Sequence, residues 1–293
     1  MIDKHFSNIA DKFVFKVCLP CMLFSSLSTT NIRKHFDGAF IGFCFLATLI
    51  SVISIWVLAK LLLKDKTMVG SFVQCSYRSS AAILGIAFIQ NIYGTAQMAP
   101  LMIIGSVPLY NIFAVIILTL ESNSAQKQDT KLRIKTACIG ILKNPIIIGI
   151  FLGLVASFFN VSLPHMLDKT IQNLSVMASP LALISIGASF EGRKAIAKIK
   201  PTLAASFIKL AGLAAIFLPI AIYLGFRDQK LIAIIIMLAS PCTPTSYIMA
   251  KNLDNDATLA SSIVVMTTQS GTDKRSVLSF QTGPTLYTGK LIG

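Results

Sequence analysis

The sequence predicts an all-α integral membrane protein built from two copies of one helical unit, the second inverted relative to the first. Three observations carry this. Hydrophobic residues make up 54% of the chain and charged residues only 13%, against roughly 25% charged in a soluble domain. Apolar runs of bilayer-crossing length recur along the whole chain. Finally, Asn91, Ala96 and Ala99 are answered by Asn252, Ala257 and Ala260, each 161 positions later, while Pro20, Leu23 and Ser25 are answered by Pro180, Leu183 and Ser185 at 160.

A spanning helix needs about 20 mostly apolar residues at about 1.5 Å rise each. Nine segments qualify as candidates: 13–28, 39–63, 68–90, 97–120, 143–160, 170–190, 202–226, 230–250 and 257–270. The first, flanked by Lys12 and Lys16 and ending in Ser25-Ser26-Leu27-Ser28, resembles a cleaved leader. Its counterpart around Pro180 lies mid-chain, where no leader can be, so the first segment reads as a span. The third and eighth segments are polar in the middle. Pro, Gly and Ser inside several segments are compatible with membrane helices, whose neighbours satisfy the freed backbone groups. The ninth is short, at about 21 Å against a core of about 30 Å.

The longest polar stretch, residues 121–135, is a linker. The expected organisation is therefore a first repeat over residues 1–120, a linker over 121–142, a second repeat over 143–270 and a tail over 271–293. The two copies lie five segments apart. An odd offset makes the second copy cross in the opposite direction, the inverted-repeat signature of secondary transporters.

The formal net charge is +14, but its distribution points away from nucleic acid. Alternating loops place Lys4, Lys12, Lys60, Lys64, Lys66, Lys127, Lys131, Arg133, Lys135, Lys143, Arg193, Lys194, Lys198, Lys200 and Lys251 on one face. The other face has Arg33, Lys34, Lys169, Arg227, Lys230 and three tail residues. This bias follows the positive-inside rule and puts the first face, with the central loop, in the cytoplasm of a multi-pass cell-membrane protein. The basic residues are topological, with some contact to anionic lipid.

Enzyme classes find no support. His5, His35 and His165 lie in flanking loops, no Asp or Glu lies deep in a span, and no two histidines stand four apart. Cys18, Cys21, Cys44, Cys75, Cys138 and Cys242 lie in apolar or membrane-flanking segments, and the first two lack a second pair to complete a zinc site. No catalytic residue, metal or cofactor is expected.

Two charges sit inside spans. Arg78, within Cys75-Ser-Tyr-Arg78-Ser79-Ser80, carries an insertion cost of about 2.5–3.5 kcal/mol. Either it faces a polar cavity and attracts an anion, or its long stem reaches an interface. The same alternatives hold for Lys209, where the interfacial reading is favoured. In the eighth segment, Ser240-Pro241-Cys242-Thr243-Pro244-Thr245-Ser246 removes two backbone donors and pushes the preceding residues out of helical geometry. A break there would expose N–H groups and positive dipole at mid-membrane, suited to a carboxylate or phosphate. The third segment offers Ser79, Ser80 and Gly85 but no proline, so polarity and flexibility are its only signals of a matching break.

Several motifs in order resemble the auxin efflux carrier family over roughly residues 8–270. They include Val14-Phe-Lys-Val-Cys-Leu-Pro20-Cys-Met-Leu23-Phe-Ser25-Ser26-Leu27, Arg78-Ser79-Ser80 leading to Gly85 and Tyr93-Gly94, and Lys143-Asn144-Pro145 followed by Gly149, Gly153 and Pro164. Ala178-Ser-Pro180-Leu-Ala-Leu, Gly187-Ala-Ser189, Pro241 through Ala250-Lys251 and Ala260-Ser261-Ser262 continue the set. The resemblance implies ten helices in two inverted five-helix repeats, related to the bile-acid sodium symporter fold, with substrate bound where two broken helices cross. Ser80 stands where the family usually has Asn, and Ala87 where it often has Pro. The first segment here matches the family's second helix, so the first repeat is expected with four spans.

The function implied is a permease or efflux carrier moving a small organic anion, such as malate or another carboxylate, by alternating access. Arg78, Ser79, Ser80 and Gly85 from one crossed helix, and Pro241, Thr243, Pro244, Thr245 and Ser246 from the other, are the expected substrate-binding residues. The expected partners are the anion and the lipid bilayer, with no nucleic acid; the coupling ion, H+ or Na+, and homodimerisation stay open. The alternative is a receptor or non-transporting membrane subunit, or an inactive truncated family member. A cysteine introduced at Gln128, with native cysteines replaced, is expected to resist membrane-impermeant thiol reagents in intact cells; strong labelling from outside reverses the topology.

Overall fold

A computed structural model describes residues 4–28, 37–81, 98–126, 130–159 and 163–281, together with 89, 92, 93 and 161. All regular structure among these residues is helical, as the composition predicts. The first helical rod joins α1 (Lys4–Phe13), a π-helical turn (Val14–Cys18) and α2 (Leu19–Ser28). It is followed by α3 (Gly38–Leu62), α4 (Val69–Tyr77) and α5 (Ala99–Leu120). The linker, expected as a polar connection, is helical over α6 (Thr130–Leu142), which leads into α7 (Pro145–Phe158). Next comes a second long rod, α8 (His165–Val176) and α9 (Ala178–Ser189), pivoting at Met177. A third rod follows the short α10 (Gly192–Ala197): α11 (Ile199–Phe207), a π-helical turn (Ile208–Gly212) and α12 (Leu213–Tyr223). The chain continues through α13 (Asp228–Ala239), α14 (Thr245–Asn252) and α15 (Ala257–Gln281).

Among the described residues, four helices are long and apolar enough to cross a membrane: Gly38–Leu62, Ala99–Leu120, His165–Ser189 and Ile199–Tyr223. The 25 residues of the first extend about 37 Å, more than the hydrocarbon core. The final helix runs on to Gln281, past the apolar stretch that ends near residue 270. Hydropathy marks where lipid contact stops, whereas a helix stops where propensity or a proline stops it, and residues 271–281 contain no proline. Large apolar side chains such as Leu62, Phe151, Phe158 and Ile216 lie exposed on the outside, where lipid takes the place of water.

The rods are joined by close backbone contact. Gly149 and Gly153 of α7 stand four apart and lie against α2: a Cβ at Gly149 would fall 2.7 Å from the Pro20 carbonyl oxygen, and one at Gly153 3.0 Å from the Phe24 Cα. Small residues at this spacing let membrane helices approach until van der Waals contact replaces the missing hydrophobic drive. The first and second rods run antiparallel. Ser7 of α1 meets Ser189 at 2.9 Å and Ser185 at 3.2 Å in α9, while Ser25 and Ser26 of α2 line the same cavity as Ser175 of α8.

Polar contacts gather at the two ends of the bundle. At one end Lys251 Nζ meets Asp11 at 2.5 Å, Lys60 meets Glu121 at 2.8 Å, Lys198 pairs with Asp256, and the Ser124 N–H donates to Asp254 at 2.9 Å. The three lysines all belong to the face with the larger basic share. At the other end Lys230 pairs with Asp37 at 2.5 Å, and Phe226 packs on Phe40 and Phe43. The hydrogen bond from Lys230, aided by the Phe40 N–H, holds the Asp37 carboxyl below its ordinary range, so Asp37 caps α3 as a carboxylate.

Gly149→Ala is expected to destabilise the protein by about 1–3 kcal/mol, because the crowding atoms belong to backbone. Gly187, in the last turn of α9 with open space around it, should do the reverse, Gly187→Ala gaining about 0.5–1 kcal/mol from helix propensity. Thermal unfolding in detergent measures both; equal shifts would remove the close α2–α7 contact from the account.

Candidate functional site

Two helices are interrupted, and the interruptions touch. Helix α4, buried along its whole length, stops at Tyr77, and Arg78 takes extended backbone angles (φ −72°, ψ 127°). Helix α13 stops at Ala239, and Ser240 is likewise extended (φ −75°, ψ 155°), as the following proline demands. The Ser80 N–H then donates to the Pro241 carbonyl at 3.1 Å. Helix α4 starts beside Asn255 and α13 starts beside Asp37, so the two breaks are approached from opposite ends.

The proline pair accounts for the break in α13 as expected. The break in α4 has no proline; there Ser79 Oγ donates to the Met237 carbonyl at 2.5 Å, tying the chain to the end of α13. Thr267 of α15 closes the other side, its Oγ1 accepting from the Cys242 N–H at 3.1 Å. One expectation is corrected here. The first N–H groups of α14 are not all presented to a ligand, because Ser246 N–H turns back to Thr243 O at 3.0 Å and Tyr247 N–H to Pro244 O at 3.2 Å. With the helix end partly self-satisfied, the polarity at the break comes from side chains more than from the dipole.

A cavity of about 230 Å³ opens against the breaks, below the 300–1,000 Å³ typical of drug-sized pockets and suited to a small solute. Arg78, Ser79, Ser80, Thr243 and Thr245 line it, so five of the expected site residues come together. Pro241 and Pro244 shape the break without lining the cavity. Ser246 lies behind it, fully buried, with Cys242 Sγ donating to its hydroxyl at 3.4 Å. Gly85 lies outside the described residues. The remaining wall comes from Met22, Leu23, Ser25 and Ser26 of α2 and Ser175 of α8, with Val107, Tyr110 and Asn111 of α5.

Arg78 is 3% exposed, so it does not reach for an interface. Its Nη2 donates to Asn111 Oδ1 at 2.6 Å and its Nη1 points at Met249 Sδ. Asn111 is itself fixed by its Nδ2 donating to Val107 O at 2.9 Å. Among the described residues no carboxylate pairs with Arg78, and two of the five guanidinium N–H groups have protein acceptors. Lys209 is the second correction. It is fully buried in the π-helical turn, with Nζ donating to Ser79 Oγ and, at 2.8 Å, to Leu238 O. Its side chain leaves the π-helical turn toward the crossing.

Asn111, Tyr110 and Lys209 were missed as site residues. An amide amid the apolar run of α5 was the available signal for Asn111. Tyr110, whose hydroxyl donates to Met237 O at 3.2 Å, gives no sequence signal that separates it from a core aromatic. No cluster of His, Cys, Asp or Glu able to hold a metal occurs among the described residues.

Replacing both Pro241 and Pro244 with Ala is expected to extend α13 toward α14. Amide hydrogen exchange over residues 240–246 should slow at least tenfold; unchanged exchange would show that the prolines do not hold the break open.

No curated protein matches the chain. A family model described as membrane transport protein matches residues 1–269, taking in both interrupted helices and the cavity between them. The ordered motifs around Pro20, Arg78, Pro145, Pro180 and Pro241, the all-helical membrane fold and this match agree: the chain belongs to the membrane transport protein family, that of the auxin efflux carriers.

Proposed function

We propose that the protein is a secondary transporter of a small organic anion, malate or another carboxylate, working by alternating access at the crossed breaks. The observation that carries this reading is Arg78: a buried guanidinium facing a solute-sized cavity, with no carboxylate partner among the described residues. Charge-assisted hydrogen bonds from a planar guanidinium suit a carboxylate, and a bound anion offsets part of the cost of holding the cation in the membrane. Ser80 and the Thr243–Thr245 pair, whose hydroxyls lie 3.1 Å apart, complete a polar wall without a competing negative charge.

Further support for alternating access comes from the antiparallel rods and from breaks approached from opposite ends, the arrangement expected of inverted repeats. The end that gathers Asp11, Lys60, Lys198 and Lys251 is the proposed cytoplasmic face. H+ would serve as coupling ion rather than Na+, since Lys209 already fills the oxygens at the crossing.

Uptake of labelled malate and other carboxylates into proteoliposomes tests transport; ligand-dependent melting with no uptake would instead favour a receptor. For the site, carboxylate-induced thermal stabilisation should be lost in Arg78→Gln and weakened in Arg78→Lys, which keeps charge but not the fork. Equal stabilisation of wild type and Arg78→Gln by the same carboxylate overturns the anion site.

A further inference from the structure

Lys209 is a lysine with no exposure, its nitrogen surrounded by oxygen. Its nitrogen faces Ser79 Oγ, the Leu238 carbonyl at 2.8 Å and the Met237 carbonyl at 3.4 Å. Ser79 directs its own proton to Met237 O, so its oxygen is an acceptor toward Lys209. Three oxygens and no donor face the nitrogen, the Met237 carbonyl being shared with Ser79 and Tyr110, a setting that suits an ammonium group. No carboxylate pairs with it among the described residues.

The two carbonyls belong to the last turn of α13, the negative end of a helix that stops in mid-membrane. Backbone carbonyls at unwound helix ends, completed by a hydroxyl, are the groups with which membrane transporters hold a monovalent cation. Here that cluster is filled by a side chain. Lys209 comes from a different rod, and its stem leaves the π-helical turn at Ile208–Gly212 toward the crossing. Through Ser79 it also touches the other break, one residue from Arg78.

We propose that Lys209 is a tethered cation: its ammonium occupies the oxygen cluster at the crossing in place of a dissociable monovalent ion, and so makes the crossed helices independent of Na+. Lys209 is a positioning residue. It neutralises the free carbonyls of α13 and orients Ser79, while the solute-facing chemistry remains with Arg78 and the hydroxyls. The proposal rests on the crossing-helix geometry and not on the identity of the transported anion.

The test uses the purified full chain with no organic anion present, so failure of the carboxylate reading leaves it intact. Melting temperature is measured in choline, sodium, potassium and methylammonium chlorides at one ionic strength, for wild type, Lys209→Ala and Lys209→Met. Wild type should melt at one temperature in all four. Lys209→Ala, which empties the cluster, should melt lowest in choline and rise by about 5 °C, saturably, with Na+ or methylammonium. Lys209→Met, which fills the space without charge, should melt below wild type and stay indifferent to the salts. The proposal is overturned if folded Lys209→Ala is indifferent to the cations, if it is recovered in none of the four salts, or if Lys209→Met is as stable as wild type. A wild type that itself gains from Na+ also overturns it.

Discussion

Inside a bilayer a backbone N–H or C=O group has no water to turn to, and the structure is organised around meeting that demand at one place. Two helices stop where hydrocarbon would forbid it, and they stop against each other. Ser80 gives its N–H to Pro241, Ser79 gives its hydroxyl to Met237, and Tyr110 adds a second donor to the same carbonyl. Neither interruption is tolerable alone. The cavity exists because the groups freed by one break are largely absorbed by the other, leaving side chains to face the solute.

The electrostatics of this region follow from the same geometry. Arg78 and Lys209 are both buried, and they use different counter-groups: an amide and a thioether for the first, carbonyls and a hydroxyl for the second. The carboxylates of the described residues stand at the two ends of the bundle, where Asp11, Glu121, Asp256 and Asp37 pair with lysines. Acidic groups thus tie loops together while the interior stays positive. Membrane burial makes that separation energetically large, since each central charge carries a cost of a few kcal/mol that dipoles must offset.

Class and family were legible in the sequence because both depend on composition and on ordered motifs. The break in α13 was legible because proline leaves a covalent mark. The break in α4 was only half visible: Ser79 and Ser80 announce polarity, but the bond that ties the chain there comes from a partner about 160 residues away. Lys209 was read as reaching the interface, since a lysine in an apolar run looks the same whichever way it points; only its contacts at the crossing reveal its direction. Ser246 was assigned to the cavity by proximity to Thr245, yet successive residues on a helix face different ways, and its hydroxyl ended beside Cys242. The continuation of α15 past residue 270 was not legible, because hydropathy reports the apolar stretch and not the helix end.

The contact between Arg78 and Met249 spans 171 positions, and this separation has a consequence for biosynthesis. At about 5–20 residues per second, the ribosome needs roughly 9–34 s after making Arg78 before Met249 exists. For most of that interval Arg78 has Asn111 but not Met249, and the open helix end lacks Met237 and Pro241. The nascent chain therefore has to be sheltered, by the insertion machinery or by a shallow waiting position, until the second half arrives. Substitutions at the crossing will lower the yield of inserted protein through this delay as well as through the stability of the finished fold.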